Sequence, residues 1–319
     1  MNERPFGKLG SVSALTLGGG GLGQLWGTTT REECLATALE ATALGITLLD
    51  MAPSYGNGEA ESVIGQAFNG TLPQGVRVTT KCRVGDIPLA DIPALLEESI
   101  DTSLKRMKID HVDIFFLHNW ITADGAPTYE RGTPRSSVER AVIPAMERIV
   151  ESGRARAWGL TGIGDSTVLI KMLNSGIKPD FIQIITNLLD SPGGLKYPAG
   201  SAQPRSIIAA AKHVGASVMG IRAVQAGALT SELDRFKPAD NPEMLDFERA
   251  APFRAIAKEL ELSPAFLAHQ YALSIDGPAT IVLGVKNRTE LRECVGAEVA
   301  GPMEPELVQR IDDAIARTS

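Results

Sequence analysis

The stretch "GITLLDMAPSYGNGEAESVIG", residues 45–65, leads from an apolar run through a polar turn into a predicted helix. The run "GITLLD" is typical of a buried strand. The turn that follows is rich in Gly, Pro and Ser, which favour tight backbone conformations. The stretch therefore predicts a strand–loop–helix unit, in which Asp50 ends the strand and Tyr55 lies on the turn.

Similar units recur along the 319 residues, with amphipathic helical stretches between short apolar runs. One such helix is predicted to begin after Thr30 as its cap and to stop at Gly45. Strict alternation of strands and helices predicts a parallel sheet, and eight units predict closure into a (β/α)8 TIM barrel in one domain, residues 1–319. The predicted strands are residues 14–18, 45–50, 76–81, 111–118, 155–161, 181–185, 216–222 and 279–284.

The composition excludes several other classes of protein. Hydrophobic residues make up 44% and charged residues 22%, as in globular proteins, and the net charge of −7 argues against nucleic-acid or anionic membrane binding. Three dispersed cysteines and four scattered histidines indicate neither a disulfide framework nor a metal site. No apolar leader or long apolar run is present, so we expect a cytoplasmic protein that does not cross a membrane. The sequence does not indicate an oligomeric state.

Three ionisable residues end consecutive predicted strands: Asp50, Lys81 and His118. Tyr55 follows the first of these strands closely. Because the carboxyl ends of parallel strands meet at one mouth of a barrel, the four side chains are expected to converge there. Each residue alone is more often a salt bridge, a cap or a satisfied hydrogen-bonding group. Four of them at the same end of three consecutive units favour a catalytic site.

This set of side chains suits a carbonyl group. A Lys ammonium beside a Tyr is expected to lower the phenol pKa, and an Asp beside the Lys keeps it charged. Such a Tyr can donate a proton to a carbonyl oxygen that His118 also orients. The set contains no evident nucleophile and no metal shell. It therefore fits reduction of a small-molecule carbonyl, or oxidation of the alcohol, with a nicotinamide cofactor carrying the hydride.

The chain resembles the aldo-keto reductases over almost its whole length. The motifs that carry the resemblance are "DMAPSYGNGEAESVIG" (50–65), "TKC" (80–82) and "SLKRMKIDHVDIFFLH" (103–118). The resemblance implies a (β/α)8 barrel that binds NAD(P)H in an extended form across its C-terminal mouth. It also implies a catalytic tetrad of Asp50, Tyr55, Lys81 and His118, with Tyr55 as general acid and base.

The resemblance, together with the residue types at the strand ends, gives a set of expected cofactor-binding residues. These are Gly21, Leu22, Asp50, Asn119, Thr161, Gln183, Ile221, Arg222, Gly227, Gly284, Lys286, Arg288 and Glu293. Several positions depart from the family pattern: Thr161-Gly162 replaces the usual Ser-Asn, and Ile221 replaces an aromatic residue. Arg222 has no family counterpart and is expected to reach either the pyrophosphate or the substrate. The glycine-rich "GGGGLG" (18–23) does not match a dinucleotide fingerprint and is read as a cofactor contact or a flexible turn.

The choice between NADP(H) and NAD(H) depends on the segment "GVKNRTELREC", residues 284–294. Lys286 and Arg288 can pair with a 2′-phosphate, which favours NADP(H) over NAD(H). Glu290 stands where the family has Gln or Arg and would repel that phosphate. Cys294 replaces the Asn that holds the adenine. A solvated run of charges is the alternative reading of "KNR".

Three long connections follow strand ends, at residues 119–137, 190–204 and 222–247, where barrel enzymes carry functional loops. Trp26 and Trp120 are predicted to shape the substrate pocket with Tyr55 and His118, although tryptophans also serve as simple packing. Two other functions stay open. One is a glycosidase that uses Asp50 with Glu59 or Glu61. The other is a cofactor-binding regulatory barrel without catalysis.

Overall fold

The computed structural model describes residues 1–127, 129–233, 235 and 238–316, in which eight parallel strands close into a barrel. The strands are β1 (Leu15–Gly18), β2 (Leu48–Asp50), β3 (Arg77–Cys82), β4 (Val112–Leu117), β5 (Ala155–Thr161), β6 (Phe181–Ile185), β7 (Ser217–Ile221) and β8 (Pro278–Leu283). Each strand pairs with its neighbours in chain order, and β8 closes onto β1. All eight strands predicted from the sequence are confirmed, to within three residues at their ends.

Helices surround this barrel. The principal ones are α1 (Arg31–Ala43), α2 (Glu59–Ala67), α3 (Ile92–Met107), α4 (Ile143–Glu151), α5 (Ser166–Asn174), α6 (Pro204–Val214), α7 (Pro264–Ser274) and α8 (Arg288–Val299). Further helices span Gly19–Leu22, Arg135–Ser137, Pro242–Arg249, Ala251–Glu259 and Pro305–Ala314, with a π-helical turn at Val138–Val142 and 3-10 turns at Gly7–Leu9, Gly193–Leu195 and Gln225–Gly227. An antiparallel pair (Glu3–Pro5, Ser11–Ser13) and a parallel pair (Trp120–Thr122, Gly132–Pro134) lie outside the barrel.

Local sequence accounts for several helix ends. The Thr30 hydroxyl accepts a hydrogen bond from the backbone N–H of Glu33 at 3.2 Å, which confirms the predicted cap of α1. Asp165 caps α5 in the same way, by accepting from Thr167 and Val168. Among the described residues, no helix combines the length and the apolar character needed to cross a membrane.

The core has two layers, and strand alternation decides which residue enters each. Ile114 and Phe116 of β4 pack inside the barrel with Phe6, whose ring lies 4.5 Å from that of Phe181. Phe115 belongs to the larger layer between strands and helices. The interior side of β4 therefore leads, at the mouth, to His118.

Candidate active site

Lys81 lies at the centre of the mouth on β3, and its side chain is completely buried. Its ammonium donates to Asp50 Oδ2 at 2.8 Å, to the Met51 carbonyl at 2.9 Å and to Tyr55 Oη at 3.2 Å. The three donors of an ammonium are thus all used. The predicted convergence of Asp50, Tyr55 and Lys81 is present.

Asp50 is held by more donors than the sequence suggested. Its Oδ1 accepts hydrogen bonds from Thr79 Oγ1 at 2.6 Å and from Gln183 Nε2 at 2.7 Å. The amide nitrogen of Gln183 is thus engaged by Asp50, and the expected contact of Gln183 with the cofactor stays a prediction. Thr79 was missed in the sequence reasoning, although it lies two residues before Lys81 and so on the same face of β3.

Tyr55 and His118 face each other across the mouth. Their rings meet edge to face with centroids 5.8 Å apart, and His118 Nδ1 lies 3.5 Å from Ser54 Oγ. Burial raises the pKa of Tyr55 above its ordinary value of 10.0, and the charge of Lys81 opposes this only in part. The sequence predicted a lowered phenol pKa; the desolvation of the hydroxyl outweighs the nearby cation. Tyr55 is therefore a protonated phenol at neutral pH.

His118 is a neutral imidazole. Burial first, and then the charges of Lys81, Arg83 and Arg131, hold the pKa of His118 well below 6.5. A neutral imidazole can donate one hydrogen bond without carrying a charge of its own. His118 is consequently suited to orienting an oxygen atom and unsuited to supplying the proton.

The glycine-rich run 18–23 is neither a fingerprint loop nor a flexible turn, because it is a buried helical turn, Gly19–Leu22. A Cβ on Gly23 would lie 2.5 Å from the backbone carbon of Tyr55, and one on Gly19 would lie 3.0 Å from the Tyr55 ring. A Cβ on Gly21 would lie 1.7 Å from the carbonyl oxygen of Val285. These glycines allow the helical turn after β1 to pack closely against the turn that carries Tyr55 and against the residues that follow β8.

Asn119 and Thr161 lie next to His118. Asn119 is 1% exposed; its Oδ1 accepts from the Val84 backbone N–H at 2.8 Å, while its Nδ2 is buried without a partner among the described residues. The hydroxyl of Thr161 donates to the Leu117 carbonyl at 2.9 Å. A buried orphan donor beside His118 suits an external acceptor, such as the carboxamide of a nicotinamide.

The cations expected to hold a 2′-phosphate are paired with carboxylates. Lys286 forms an ion pair with Glu290 at 2.5 Å, and Arg288 binds Glu33 of α1 through both Nε, at 3.1 Å, and Nη2, at 3.0 Å. The ion pair with Glu33 raises the pKa of Arg288. The structure thus brings the two predicted cations to the β8 end of the mouth, but with their charges balanced.

Arg222 is also paired. It adopts a positive φ of 61°, and its guanidinium donates to Gln225 Oε1 at 2.7 Å and to Glu243 at 3.1 Å. Gln225 in turn donates to Asp246. The side chain therefore ties the segment after β7 to the helix Pro242–Arg249. Its predicted contact with pyrophosphate or substrate would need this pairing to open.

The other predicted cofactor residues occupy separate places around the same mouth. Ile221 ends β7, Gly227 turns with a φ of 97°, Gly284 follows β8 beside Trp26, and Leu22 lies in the buried turn after β1. Glu293 accepts a hydrogen bond from Ser263 at the start of α7. The sulfur of Cys294 is buried 3.6 Å from His269 Nε2, between helices. Their roles stay predictions.

The two tryptophans predicted to line the pocket are packed against other side chains. The Trp120 ring meets Tyr129 and Tyr197 edge to face, at 5.9 and 5.8 Å. Trp26 lies under the guanidinium of Arg235 at 5.1 Å. The predicted loop 222–247 that contains Arg235 also includes residues 234, 236 and 237, which fall outside the described part of the chain.

The carboxylates required by a glycosidase are engaged elsewhere. Glu61 is fully buried, accepting from Thr80 Oγ1 at 2.6 Å and from Arg106 at 2.9 Å. Glu59 begins α2 and forms an ion pair with Arg31. Both side chains thus have structural partners, and this removes the pair on which the glycosidase reading depended.

The model of the aldo/keto reductase family matches residues 14–316. This chain belongs to the aldo/keto reductase family. The sequence-based resemblance to these enzymes is confirmed, and the match spans all eight strands of the barrel.

Several oxidoreductases are similar to this aldo/keto reductase. An L-galactose dehydrogenase of Arabidopsis thaliana is 25% identical over 92% of this chain and 87% of its own length. An NADH-specific methylglyoxal reductase of Escherichia coli is 29% identical over 53% of each chain. The aldo-keto reductase AKR11C1 of Bacillus halodurans, in its holo form, shares the fold with a TM-score of 0.72 at 21% identity, covering 100% of this chain and 97% of its own.

Proposed function

We propose that the protein interconverts a small-molecule aldehyde or ketone and the corresponding alcohol, using a nicotinamide cofactor and Tyr55 as general acid and base. The observation that carries the proposal is the chain of contacts Asp50–Lys81–Tyr55, with Lys81 Nζ 3.2 Å from the phenol oxygen. A proton donor, a buried cation and an orienting imidazole meet at one point of the barrel mouth. The named activities of the similar oxidoreductases support the same class of reaction.

The roles of the residues follow from their protonation states. When bound, the nicotinamide supplies or accepts the hydride. In reduction, Tyr55 Oη donates its proton to the substrate oxygen, and the positive charge of Lys81 stabilises the phenolate that is left. Neutral His118 holds the same oxygen by a hydrogen bond. In oxidation, the phenolate removes the proton from the alcohol.

Several residues fit a nicotinamide beside Tyr55. Asn119 Nδ2 offers the buried donor for the carboxamide oxygen, in the role that the missing amide at Gly162 would have filled. The Thr161 hydroxyl donates a hydrogen bond to the Leu117 carbonyl. Its oxygen keeps lone pairs that can accept a hydrogen bond from the carboxamide NH2. Gln183 reaches the site through Asp50 and is proposed to position that carboxylate.

The preference for NADP(H) over NAD(H) is a proposal that rests on Lys286 and Arg288. A 2′-phosphate binding there would have to displace Glu290 and Glu33 from these cations. Relatives named for each cofactor exist, an NADH-specific reductase and an aldo-keto reductase yakc [NADP(+)] of Schizosaccharomyces pombe. The cytoplasmic location expected from the sequence is likewise a proposal.

The first experiment is a fluorescence titration of the purified protein with NADPH and with NADH, followed by cofactor oxidation with a generic aldehyde. Binding at micromolar concentrations together with aldehyde-dependent oxidation is expected. Binding without turnover on a panel of aldehydes, ketones and alcohols would favour the regulatory barrel instead. Binding of neither cofactor would contradict the proposal.

A further inference from the structure

Two arginine side chains at the mouth, Arg83 and Arg131, form no ion pair with a carboxylate of the described residues. Both are exposed, and in the described part of the chain neither guanidinium forms a hydrogen bond or an ion pair. Eight other arginines form ion pairs: Arg31, Arg135, Arg154, Arg156, Arg205, Arg288, Arg292 and Arg310. The exposed Arg140 and Arg148, like Arg83 and Arg131, form none with the described residues, so what distinguishes Arg83 and Arg131 is that their charges act on His118.

The backbone holds Arg83 beside the catalytic histidine. The carbonyl of Cys82 accepts from the His118 backbone N–H at 2.7 Å, and the N–H of Val84 donates to Asn119 Oδ1 at 2.8 Å. Arg83 thus lies between two residues that are both bonded to the His118–Asn119 segment. It also follows Lys81 by two residues, just past the end of β3.

Arg131 reaches the same side of the mouth from the loop after β4. Its carbonyl accepts from the Trp120 backbone N–H at 2.6 Å, and Thr133 Oγ1 donates to the Gly85 carbonyl at 3.0 Å. The first bond attaches the loop to the residues that follow His118. The second attaches it to the residues that follow Arg83. Together they bring the two arginines to one edge of the site.

The charges of the two arginines act on the catalytic residues and on each other. After burial, the positive charges of Lys81, Arg83 and Arg131 contribute to the low pKa of His118. Burial lowers the pKa of Arg83 first, the charge of Arg131 lowers it further, and Tyr55 and Glu130 oppose these effects in part. Like charges held close together disfavour one another, and because Glu130 offsets this repulsion only in part, a bound anion would relieve it further.

We propose that Arg83 and Arg131 bind an anionic oxygen group of the substrate, a carboxylate or a phosphate, while the carbonyl lies at Tyr55 and His118. The proposal rests on the function proposed above and specifies its substrate class as an anionic carbonyl compound or the matching alcohol. Guanidinium groups suit both anions because their fork of N–H donors matches two oxygens. The same donors can also bind the hydroxyl groups of a neutral sugar, which is the competing reading.

The test uses three aldehydes of one shape: 4-carboxybenzaldehyde, 4-formylphenyl phosphate and the neutral 4-formylbenzamide. The variants are Arg83→Gln, Arg131→Gln and the double variant. Arg148→Gln serves as the matched control, since Arg148 is an exposed arginine on α4 for which the described residues offer no ion pair. Steady-state kcat and KM are measured in a buffer without competing anions, at low and high salt.

The wild type is expected to show a kcat/KM for one of the anionic aldehydes at least about tenfold above that for the amide. Each single variant should reduce this ratio about tenfold or to unity, through KM for the anion. Arg148→Gln should leave the ratio unchanged. Salt should raise KM for the anion alone, because it screens exposed charges. The anion that responds identifies the group.

Two results would overturn the proposal. One is a wild type that does not prefer either anion over the amide. The other is an equal loss by the double variant on L-galactose and on the anionic aldehydes, which would make the arginines donors to hydroxyl groups. If no aldehyde is turned over, calorimetric binding of 4-(hydroxymethyl)benzoate and its amide decides the question. Equal binding of the two compounds by the wild type would contradict the anion site. A protein that binds the cofactor but turns over no aldehyde would contradict only the proposed catalysis.

Discussion

At the β2–β4 side of the mouth the ionisable side chains converge on one another, whereas at the β8 side each predicted cation is paired with a carboxylate. Lys81 contacts Asp50 and Tyr55 within 3.2 Å. Lys286 and Arg288 are instead balanced by Glu290 and Glu33. The first arrangement shapes the reactivity of a phenol, and the second holds a loop to two helices. The difference teaches that a charged residue at a strand end indicates a function only when the groups that its side chain contacts are known.

The largest effect is expected from Tyr55→Phe, which removes the proposed proton donor and retains the ring. Turnover should fall by about two to four orders of magnitude, the usual contribution of a general acid. The dissociation constant of the cofactor should stay nearly unchanged. Stopped-flow or steady-state assays together with fluorescence titration measure both quantities. Retained turnover would show that convergence at the β2–β4 side has no catalytic meaning.

Lys81→Met should destabilise the fold as well as the site. The change leaves Asp50 buried with only Thr79 and Gln183 as donors, and breaking a buried ion pair costs about 3–5 kcal/mol. Urea unfolding gives the free energy of unfolding. Lys171→Met, at an exposed lysine of α5, should change it little. Equal stability of the two variants would mean that the Asp50–Lys81 pair contributes nothing to folding.

Asn119→Asp tests the orphan amide. The variant keeps an oxygen for the Val84 N–H and replaces the buried, unpartnered NH2 with a second oxygen. Cofactor affinity should fall about tenfold or more, because the donor is lost and the new oxygen repels an acceptor. Fluorescence titration measures the change, and Asn174→Asp on the exposed end of α5 is the control. Unaltered affinity would remove Asn119 from the cofactor site.

Glu290→Gln tests the balanced charges at the β8 side. The substitution removes the negative charge of Glu290 from beside Lys286, so NADPH should bind several-fold more tightly if Lys286 holds the 2′-phosphate. NADH affinity should change little. Glu306→Gln, at an exposed glutamate of the helix Pro305–Ala314, controls for net charge. A fall in NADH affinity with no gain for NADPH would assign Glu290 to an NAD(H) site.

The smallest effect concerns pH. Reduction by the proposed mechanism needs protonated Tyr55, whose pKa is raised above 10.0, so kcat/KM for reduction is lost only as pH rises through that raised pKa. The pKa of His118 is held well below 6.5, so its neutral form persists across the same range. The profile should therefore be level across neutral pH, from about pH 7 to 9, between the ordinary pKa values of the two groups. An inflection near 6.5 would mean that His118 changes charge during the reaction.

The β2–β4 side and the β8 side of the mouth also differ in how much of each could be predicted from the sequence. The alternation of apolar runs and helices predicted all eight strands, because each pattern is local. Asp50, Lys81 and His118 were found because they end strands, a position that sequence spacing identifies. Gln183 as a partner of Asp50 could not be found, because 133 residues separate them and only barrel closure brings them together.

The sequence by itself determined the strand–helix order, the family motifs and the identity of the four residues at the mouth, since these depend on periodicity and spacing along the chain. Only the tertiary structure decided which charges are neutralised, which donors are left without a partner and in which direction burial moves the phenol pKa. These properties depend on distances between remote segments and on exclusion of water. The pairing of Arg288 with Glu33, and the lack of an ion pair between Arg83 or Arg131 and any described residue, are therefore visible only in the folded barrel.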